Sequence, residues 1–155
     1  ICISINPKWP KRFGVKLRIP QWCDNYEITV NGENVKTSIS DGYAVIERKW
    51  KKGDSISLAL DMEPKMVAAD PRVKADKGRR AIQRGPIVYC LEEADNPNIS
   101  DAVLDAGAVL DTAFEPQLLG GVVTVTARHK SGDLKFIPYY PGRMEVWVRF
   151  HKKPE

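Results

Sequence analysis

The sequence predicts an all-β fold, an antiparallel β-sandwich or jelly roll with little helix. Three observations support this prediction: apolar and polar residues alternate over most of the chain, the alternating runs are short, and turn-forming residues separate them. Short strands joined by such turns are typical of sandwiches and jelly rolls. The sequence contains no repeat of fixed period, which argues against a propeller or a solenoid.

The first part of the chain contains five predicted strands. Residues 1–5 alternate in polarity, and the run from Phe13 to Ile19 keeps its apolar residues on one face until Pro20 stops it. Asn31-Gly32 ends the next run and predicts a tight hairpin turn, because both residues tolerate positive φ. Lys52-Gly53-Asp54 predicts another turn. The inward-facing residues of the last three runs are Ile28 and Val30, then Ala44, Ile46 and Trp50, then Ile56, Leu58, Leu60 and Met62.

The second part of the chain is less regular. Pro64 interrupts the alternation, and residues 70–80 are polar and charged, which predicts a surface loop. The apolar run 87–91 predicts a strand covered on both faces. Residues 93–100 predict another loop, and residues 101–111 fit either a short helix or an irregular strand, since Gly107 weakens a helix. The remaining predicted strands are 122–128, 134–137 and 144–150.

The length of 155 residues suits one domain, so we predict a single β-sandwich over 1–155, with a subdivision near 63–80 as the alternative. The chain opens in a strand without an initiator Met, and we expect it to be part of a longer protein. No apolar run approaches the ~20 residues of a membrane-spanning helix, so we expect no membrane partner. The net charge of +4 is dispersed along the sequence, so we expect no nucleic-acid partner.

The residues that carry chemistry are sparse. Cys2, Cys23 and Cys90 are too widely spaced for a zinc motif, and Cys90 is expected to be a buried, inert thiol. Both histidines, at 129 and 151, are expected to be exposed. Acid–base hydrolysis requires two carboxylates across a cleft, whereas the acidic residues here favour surface loops. We therefore predict no catalytic, cofactor-binding or metal-binding residue. The carboxylates considered were Glu92, Glu93, Asp95, Asp101, Asp105 and Asp111.

Aromatic residues near loops and strand ends are candidate carbohydrate contacts, because a flat ring can cover the apolar face of a sugar. The alternative is that they pack at the ends of the sandwich, as Trp50 and Trp147 are expected to pack in the core or an interface. Trp22 is the leading candidate because it follows Pro20 at a strand end. The full candidate set is Trp22, Trp9, Tyr26, Tyr139 and Tyr140.

Six segments of the sequence stand out in order: 17–22 (LRIPQW), 30–32 (VNG), 43 with 48–54 (Y, RKWKKGD), 84–89 (RGPIVY), 138–140 (PYY) and 144–147 (MEVW). Together they resemble the C-terminal portion of glycoside hydrolase family 127, the bacterial β-L-arabinofuranosidases and their relatives. The resemblance covers essentially the whole chain. It departs from the family at residues 140–144, where the segment is shorter than usual.

The resemblance implies that the catalytic residues lie in a different domain of the protein. In this family an (α/α) barrel performs the chemistry with a zinc-bound cysteine nucleophile, and that barrel contains an adjacent Cys-Cys pair. Nothing in this chain matches the pair, so we carry over no catalytic or metal residue. The β-sandwich regions of the family pack on the barrel, and in some members they contribute to a dimer. The resemblance implies a bacterial source but leaves a periplasmic, extracellular or cytoplasmic location open.

The leading hypothesis is a non-catalytic accessory β-sandwich of a glycoside hydrolase that braces an upstream catalytic barrel and shapes its cleft rim or an oligomer interface. The first alternative is an independent carbohydrate-binding module that uses exposed aromatic residues on a plant-type oligosaccharide. The second alternative is a protein-interaction or adhesion β-domain. The expected partners are the chain's own upstream barrel, a second copy, or such an oligosaccharide.

Overall fold

A computed structural model describes residues 1–97, 99, 102–128, 132–139 and 148–151. The described part is built mainly from β-strands, so the predicted all-β class is confirmed. Within these residues there is no helix of the length and apolar character needed to cross a bilayer. The chain divides into two compact units, unit 1 over Ile1–Met62 and unit 2 over Glu63–Glu155.

Unit 1 consists of two small antiparallel sheets. One has the strand order β1-β7-β3-β4 and the other has the order β2-β6-β5. Its strands are β1 Cys2–Ile5, β2 Lys11–Arg18, β3 Tyr26–Val30, β4 Glu33–Asn34, β5 Ile39–Ser40, β6 Tyr43–Trp50 and β7 Asp54–Leu60.

The core of unit 1 lies between these two sheets, because both contribute to one buried cluster. Most of the alternating residues predicted to face inward are buried, with Ile28 and Val30 from one sheet and Ala44 and Ile46 from the other, whereas Leu60 and Met62 are only partly buried. Trp50 is fully buried and donates its indole N–H to the Phe13 carbonyl at 2.9 Å. The remaining buried members are Leu17, Ile19, Ile56 and Leu58.

The predicted turns of unit 1 are confirmed by their backbone. Asn31 and Gly32 adopt φ of 53° and 84°, as a two-residue hairpin between β3 and β4 requires. Asn31 also joins this turn to β7: its side chain donates to the Asp54 carboxylate at 3.0 Å and accepts from the Ser55 N–H at 2.8 Å. Met62 lies beyond the end of β7, which corrects the predicted limit of that strand.

Unit 2 is built around an eight-stranded sheet with the order β11-β15-β9-β10-β14-β13-β12, and β8 pairs with β9 off this path. Its pairs are antiparallel except β11 with β15, which is parallel. The strands are β8 Pro64–Ala68, β9 Arg79–Arg84, β10 Ile87–Leu91, β11 Val103–Asp105, β12 Val109–Glu115, β13 Val122–Arg128, β14 Leu134–Pro138 and β15 Val148–His151; a 3-10 turn spans Lys74–Asp76.

Several predictions for unit 2 need correction. Pro64 begins a strand, where proline is tolerated, and the loop predicted over 70–80 ends earlier because β9 starts at Arg79. For residues 101–111 the strand alternative is confirmed, because they contain β11 and the start of β12, with no helix among the described ones. β10 is buried from Tyr89 onward, whereas Ile87 and Val88 are more than a third exposed. Of the last predicted strand, residues 144–147 lie outside the described part.

Candidate functional site

Trp9 is the most exposed of the described candidate aromatics. It lies in the connection between β1 and β2 with 72% of its surface accessible, and the Lys8 ammonium sits 6.0 Å from its ring centroid. An indole held in water beside a cation has one face free to stack on an apolar surface. Trp9 therefore meets the first requirement for a sugar contact.

Trp22 and Tyr26 lie at the other end of β2, where the chain turns towards β3. The turn is closed by the Cys23 N–H bonding to the Pro20 carbonyl at 3.1 Å, and Trp22 is half-buried. An eight-residue strand spans about 26 Å, so Trp9 and Trp22 cannot form one stacking platform. The candidate aromatics of unit 1 therefore define two separate places.

Tyr139 is the candidate in unit 2. It follows β14, is half-exposed at 49%, and donates its backbone N–H to the Val88 carbonyl at 2.9 Å. Tyr140, the last candidate, lies outside the described residues, as does Trp147.

A shallow groove of about 400 Å³ opens beside Tyr26 in unit 1. It forms where the segment after β4 leaves β3. The Val35 N–H still bonds to the Ile28 carbonyl at 2.9 Å, and beyond that bond none is described between Tyr26 and the departing backbone. The lining combines one aromatic ring with polar and charged side chains, a composition suited to a small hydroxylated ligand. The lining residues are Tyr26, Glu27, Ile28, Asn34, Val35, Lys36 and Thr37.

Two of the carboxylates named in the sequence analysis are held in ion pairs. Asp95 lies 3.6 Å from the Lys135 ammonium, and Asp111 bonds to the Arg128 guanidinium. Glu92 and Glu93 precede a loop in which the Glu92 backbone carbonyl accepts from the Asn96 side chain at 2.9 Å. Asp101 lies outside the described residues.

A polar cluster on the unit 2 sheet, formed by Glu115, Thr124 and Lys135, was not found from the sequence. Glu115 accepts from the Lys135 ammonium at 3.1 Å and from the Thr124 hydroxyl at 3.0 Å. The hydrogen bond from Lys135 lowers the pKa of Glu115, and the same bond raises the pKa of Lys135. Both groups therefore remain ionised near neutral pH, a state that suits an ion pair better than proton transfer. Three strands contribute one residue each, so no local sequence motif reports the cluster.

The three cysteines do not fit a zinc centre. Cys23 is buried, and its thiol donates to the Asn25 carbonyl at 2.9 Å; Cys90 is buried in β10 with its sulfur 3.6 Å from the Ile137 carbonyl. Cys2 is exposed on β1. Across the described residues no three His, Cys, Asp or Glu side chains come together as metal ligands.

Two family models divide the chain near the boundary between the two units. Residues 1–62 match the model described as "Beta-L-arabinofuranosidase, GH127 middle domain", and residues 64–149 match "Glycoside hydrolase family 127 C-terminal domain". The chain belongs to glycoside hydrolase family 127. Unit 1 thus corresponds to the GH127 middle domain and unit 2 to the GH127 C-terminal domain.

Individual GH127 proteins agree with this assignment. A non-reducing end β-L-arabinofuranosidase of Bifidobacterium longum is 43% identical over 121 residues, which cover 74% of this chain and 18% of the relative. The crystal structure of a GH127 β-L-arabinofuranosidase from Geobacillus stearothermophilus T6 aligns with a TM-score of 0.86 at 37% identity over 97% of this chain. A second GH127 β-arabinofuranosidase structure gives 0.84 at 34% identity over the same share.

This chain spans only a small part of these proteins. It covers 18% of the Bifidobacterium enzyme, 28% of the Geobacillus structure and 29% of the second structure. Most of the length of each relative therefore lies outside the region that matches.

Proposed function

We propose that this chain is a non-catalytic accessory region of a β-L-arabinofuranosidase-like glycoside hydrolase, and that it supports a catalytic domain located elsewhere in the same protein. The observation that carries the proposal is the match to the GH127 middle and C-terminal domain models over nearly the whole chain, while the relatives are several times longer. The ion pairs of Asp95 and Asp111 and the buried thiols of Cys23 and Cys90 support it. Any zinc would belong to that other domain.

The catalytic part of the proposal is tested with residues 1–155 alone. We expect no hydrolysis of a panel of 4-nitrophenyl arabinofuranosides, with and without added zinc, in a sample shown to be folded by circular dichroism. The full-length gene product is the positive control. Zinc-dependent turnover by residues 1–155 would refute the assignment.

The supporting role is tested by deleting the segment that corresponds to residues 1–155 from the full-length gene product. If the accessory region braces the catalytic domain, the truncated protein unfolds at a lower temperature and loses activity in parallel. An unchanged melting temperature with full activity would refute bracing, even if the fragment itself is inactive.

The groove beside Tyr26 favours carbohydrate binding as a second candidate function. It places an aromatic ring, an amide and an ammonium group around one concave surface, whereas Trp9 offers a separate exposed ring at the other end of β2. Calorimetric titration with neutral arabino-oligosaccharides distinguishes the two places. Binding lost in Tyr26→Ala or Asn34→Ala but kept in Trp9→Ala assigns the groove, and the reverse assigns Trp9. If the titration shows no heat of binding, carbohydrate binding by these two places is refuted.

A further inference from the structure

The outer face of the β2–β6–β5 sheet of unit 1 carries an excess of positive charge. The burial pattern of β2 turns Arg12, Lys16 and Arg18 to the solvent, and that of β6 turns Lys49 and Glu47 to the same side. We call these four cations the cationic face. This surface therefore carries four positive groups and one carboxylate, that of Glu47.

Two of these cations stand directly opposite one another. The register of the β2–β6 pair aligns Arg12 with Lys49 and Gly14 with Glu47. Like charges on facing strand positions destabilise a sheet. Among the described residues, no ion pair joins any member of the cationic face to a carboxylate. A local arrangement that opposes stability is a mark of a functional surface, and an anion would relieve this repulsion.

Arg18 is held in place before any ligand arrives. Its guanidinium carbon lies 5.5 Å from the centroid of the Tyr43 ring, the residue opposite it on β6. It also covers Gly42, where an added Cβ would come within 2.3 Å of a guanidinium nitrogen. The Gly42 carbonyl accepts from the Ile19 N–H at 2.9 Å, which fixes this turn against the end of β2. A positioned guanidinium loses less entropy on binding than a free one.

The face is long and nearly linear. Arg18 lies six positions after Arg12, which corresponds to about 20 Å along an extended strand. Gly14 adds no side chain between them, and the half-buried Val45 and the Tyr43 ring supply apolar surface beside the charges. A single small anion would contact only part of this surface. A linear polymer with repeated negative groups and ring-shaped units would contact all of it.

We propose that the cationic face of the GH127 middle domain binds an acidic glycan, a chain of uronic acid residues. Carboxylates of successive sugars meet the four cations, and the sugar rings lie against Val45 and Tyr43. The inference goes beyond the bracing role and does not require residues 1–155 to be catalytic. It differs from the Tyr26 groove in ligand charge and in the strands that carry it.

The test uses residues 1–155 and a linear oligogalacturonate, with a neutral oligosaccharide of the same length as the ligand control. We expect binding of the acidic chain at low salt that weakens about tenfold when ionic strength rises from about 20 to 200 mM, because exposed charges are screened. Lys16→Gln, Arg12→Gln and Lys49→Gln should each weaken it about two- to fivefold, as expected for exposed ion pairs. The matched control is Lys36→Gln, which removes the same charge from the groove and should leave the affinity unchanged.

A second pair of variants tests the positioned guanidinium. Tyr43→Phe keeps the ring beneath Arg18 and should retain the affinity, whereas Tyr43→Leu should lower it with little change in melting temperature. The Arg12→Gln and Lys49→Gln variants should melt no lower than the parent, since each removes a repulsion. These readouts separate lost binding from lost structure.

The proposal is overturned by any of four results: no binding of the oligogalacturonate, equal binding of the neutral chain, an equal loss in Lys36→Gln, or a single-stranded DNA of the same charge that binds as tightly. The last two would assign the ligand to the groove or to unspecific attraction of polyanions. None of them bears on hydrolysis, so failure here and failure of the accessory role remain distinguishable.

Discussion

Asn96 offers the sharpest test of how unit 2 is held together. β10 stops pairing with β14 after Leu91, and the Asn96 side chain continues the ladder in its place. Its amide donates to the Lys135 carbonyl at 2.9 Å and accepts from the Lys135 N–H at 2.8 Å, while only 4% of the residue is exposed. The same amide donates to the Glu92 carbonyl at 2.9 Å. One side chain therefore satisfies both backbone groups of a strand residue.

Asn96→Ala should destabilise unit 2 by about 3 kcal/mol. The Glu92 carbonyl keeps the backbone N–H of residue 96 as a donor at 3.0 Å, but the two Lys135 groups lose their partner. Each buried polar group left unpaired costs about 1–3 kcal/mol. For a domain of this size 1 kcal/mol corresponds to about 4–8 °C, so the melting temperature of unit 2 should fall by about 12 °C or more.

Thermal denaturation followed by circular dichroism measures the loss, and amide hydrogen exchange locates it at Lys135. The control is Gln117→Ala, which removes an exposed amide from the same unit and should change stability by less than about 0.5 kcal/mol. A loss of less than about 1 kcal/mol in the free energy of unfolding would refute the view that this side chain takes the place of a paired strand residue. A Lys135 amide that stays protected from exchange in Asn96→Ala would refute it as well.

Three further predictions concern single contacts. Tyr89→Phe removes a buried hydroxyl that donates to the Val123 carbonyl at 2.9 Å, and should cost about 1 kcal/mol in chemical denaturation. Gly32→Ala places a side chain at φ 84° and should cost unit 1 about 1 kcal/mol by the same measurement; no loss would mean that the turn relaxes. Hydrogen bonds from the Lys51 N–H and the Asn31 amide lower the pKa of Asp54 below 3.8. A lowered carboxyl pKa stabilises the fold at neutral pH and loses that effect as pH falls through the folded-state value, so unit 1 should weaken below about pH 4, and Asp54→Asn should flatten this part of the profile.

The strands of unit 1 were predictable from sequence because one face of each long strand packs against a single core. Alternation then reports burial directly, and the Asn31-Gly32 turn fixes the register of the hairpin. β4 and β5 have two residues each and are exposed, so they leave no pattern. In unit 2, β12 was missed because it is an edge strand whose Val109 and Phe114 are largely exposed.

The candidate sites were predictable only in part. The exposure of Trp9 follows from its position between two prolines in a connection. The groove beside Tyr26 depends on where the backbone after β4 leaves β3, and the Asn96 contacts join residues 39 positions apart. Predicting the cationic face would require knowledge of the β2–β6 register, which places Arg12 opposite Lys49. Contacts of this kind arise from tertiary pairing and have no local signature.

The pairing of β1 with β7 has a consequence for synthesis on the ribosome. β7 lies between β1 and β3 in its sheet, and the backbone nitrogen of Ile1 donates to the Leu58 carbonyl at 2.8 Å. β1 and β3 therefore lack the strand that they both pair with until residue 60 has left the exit tunnel. From that moment the seven described strands of unit 1 are available to pair with one another while unit 2 is still being translated.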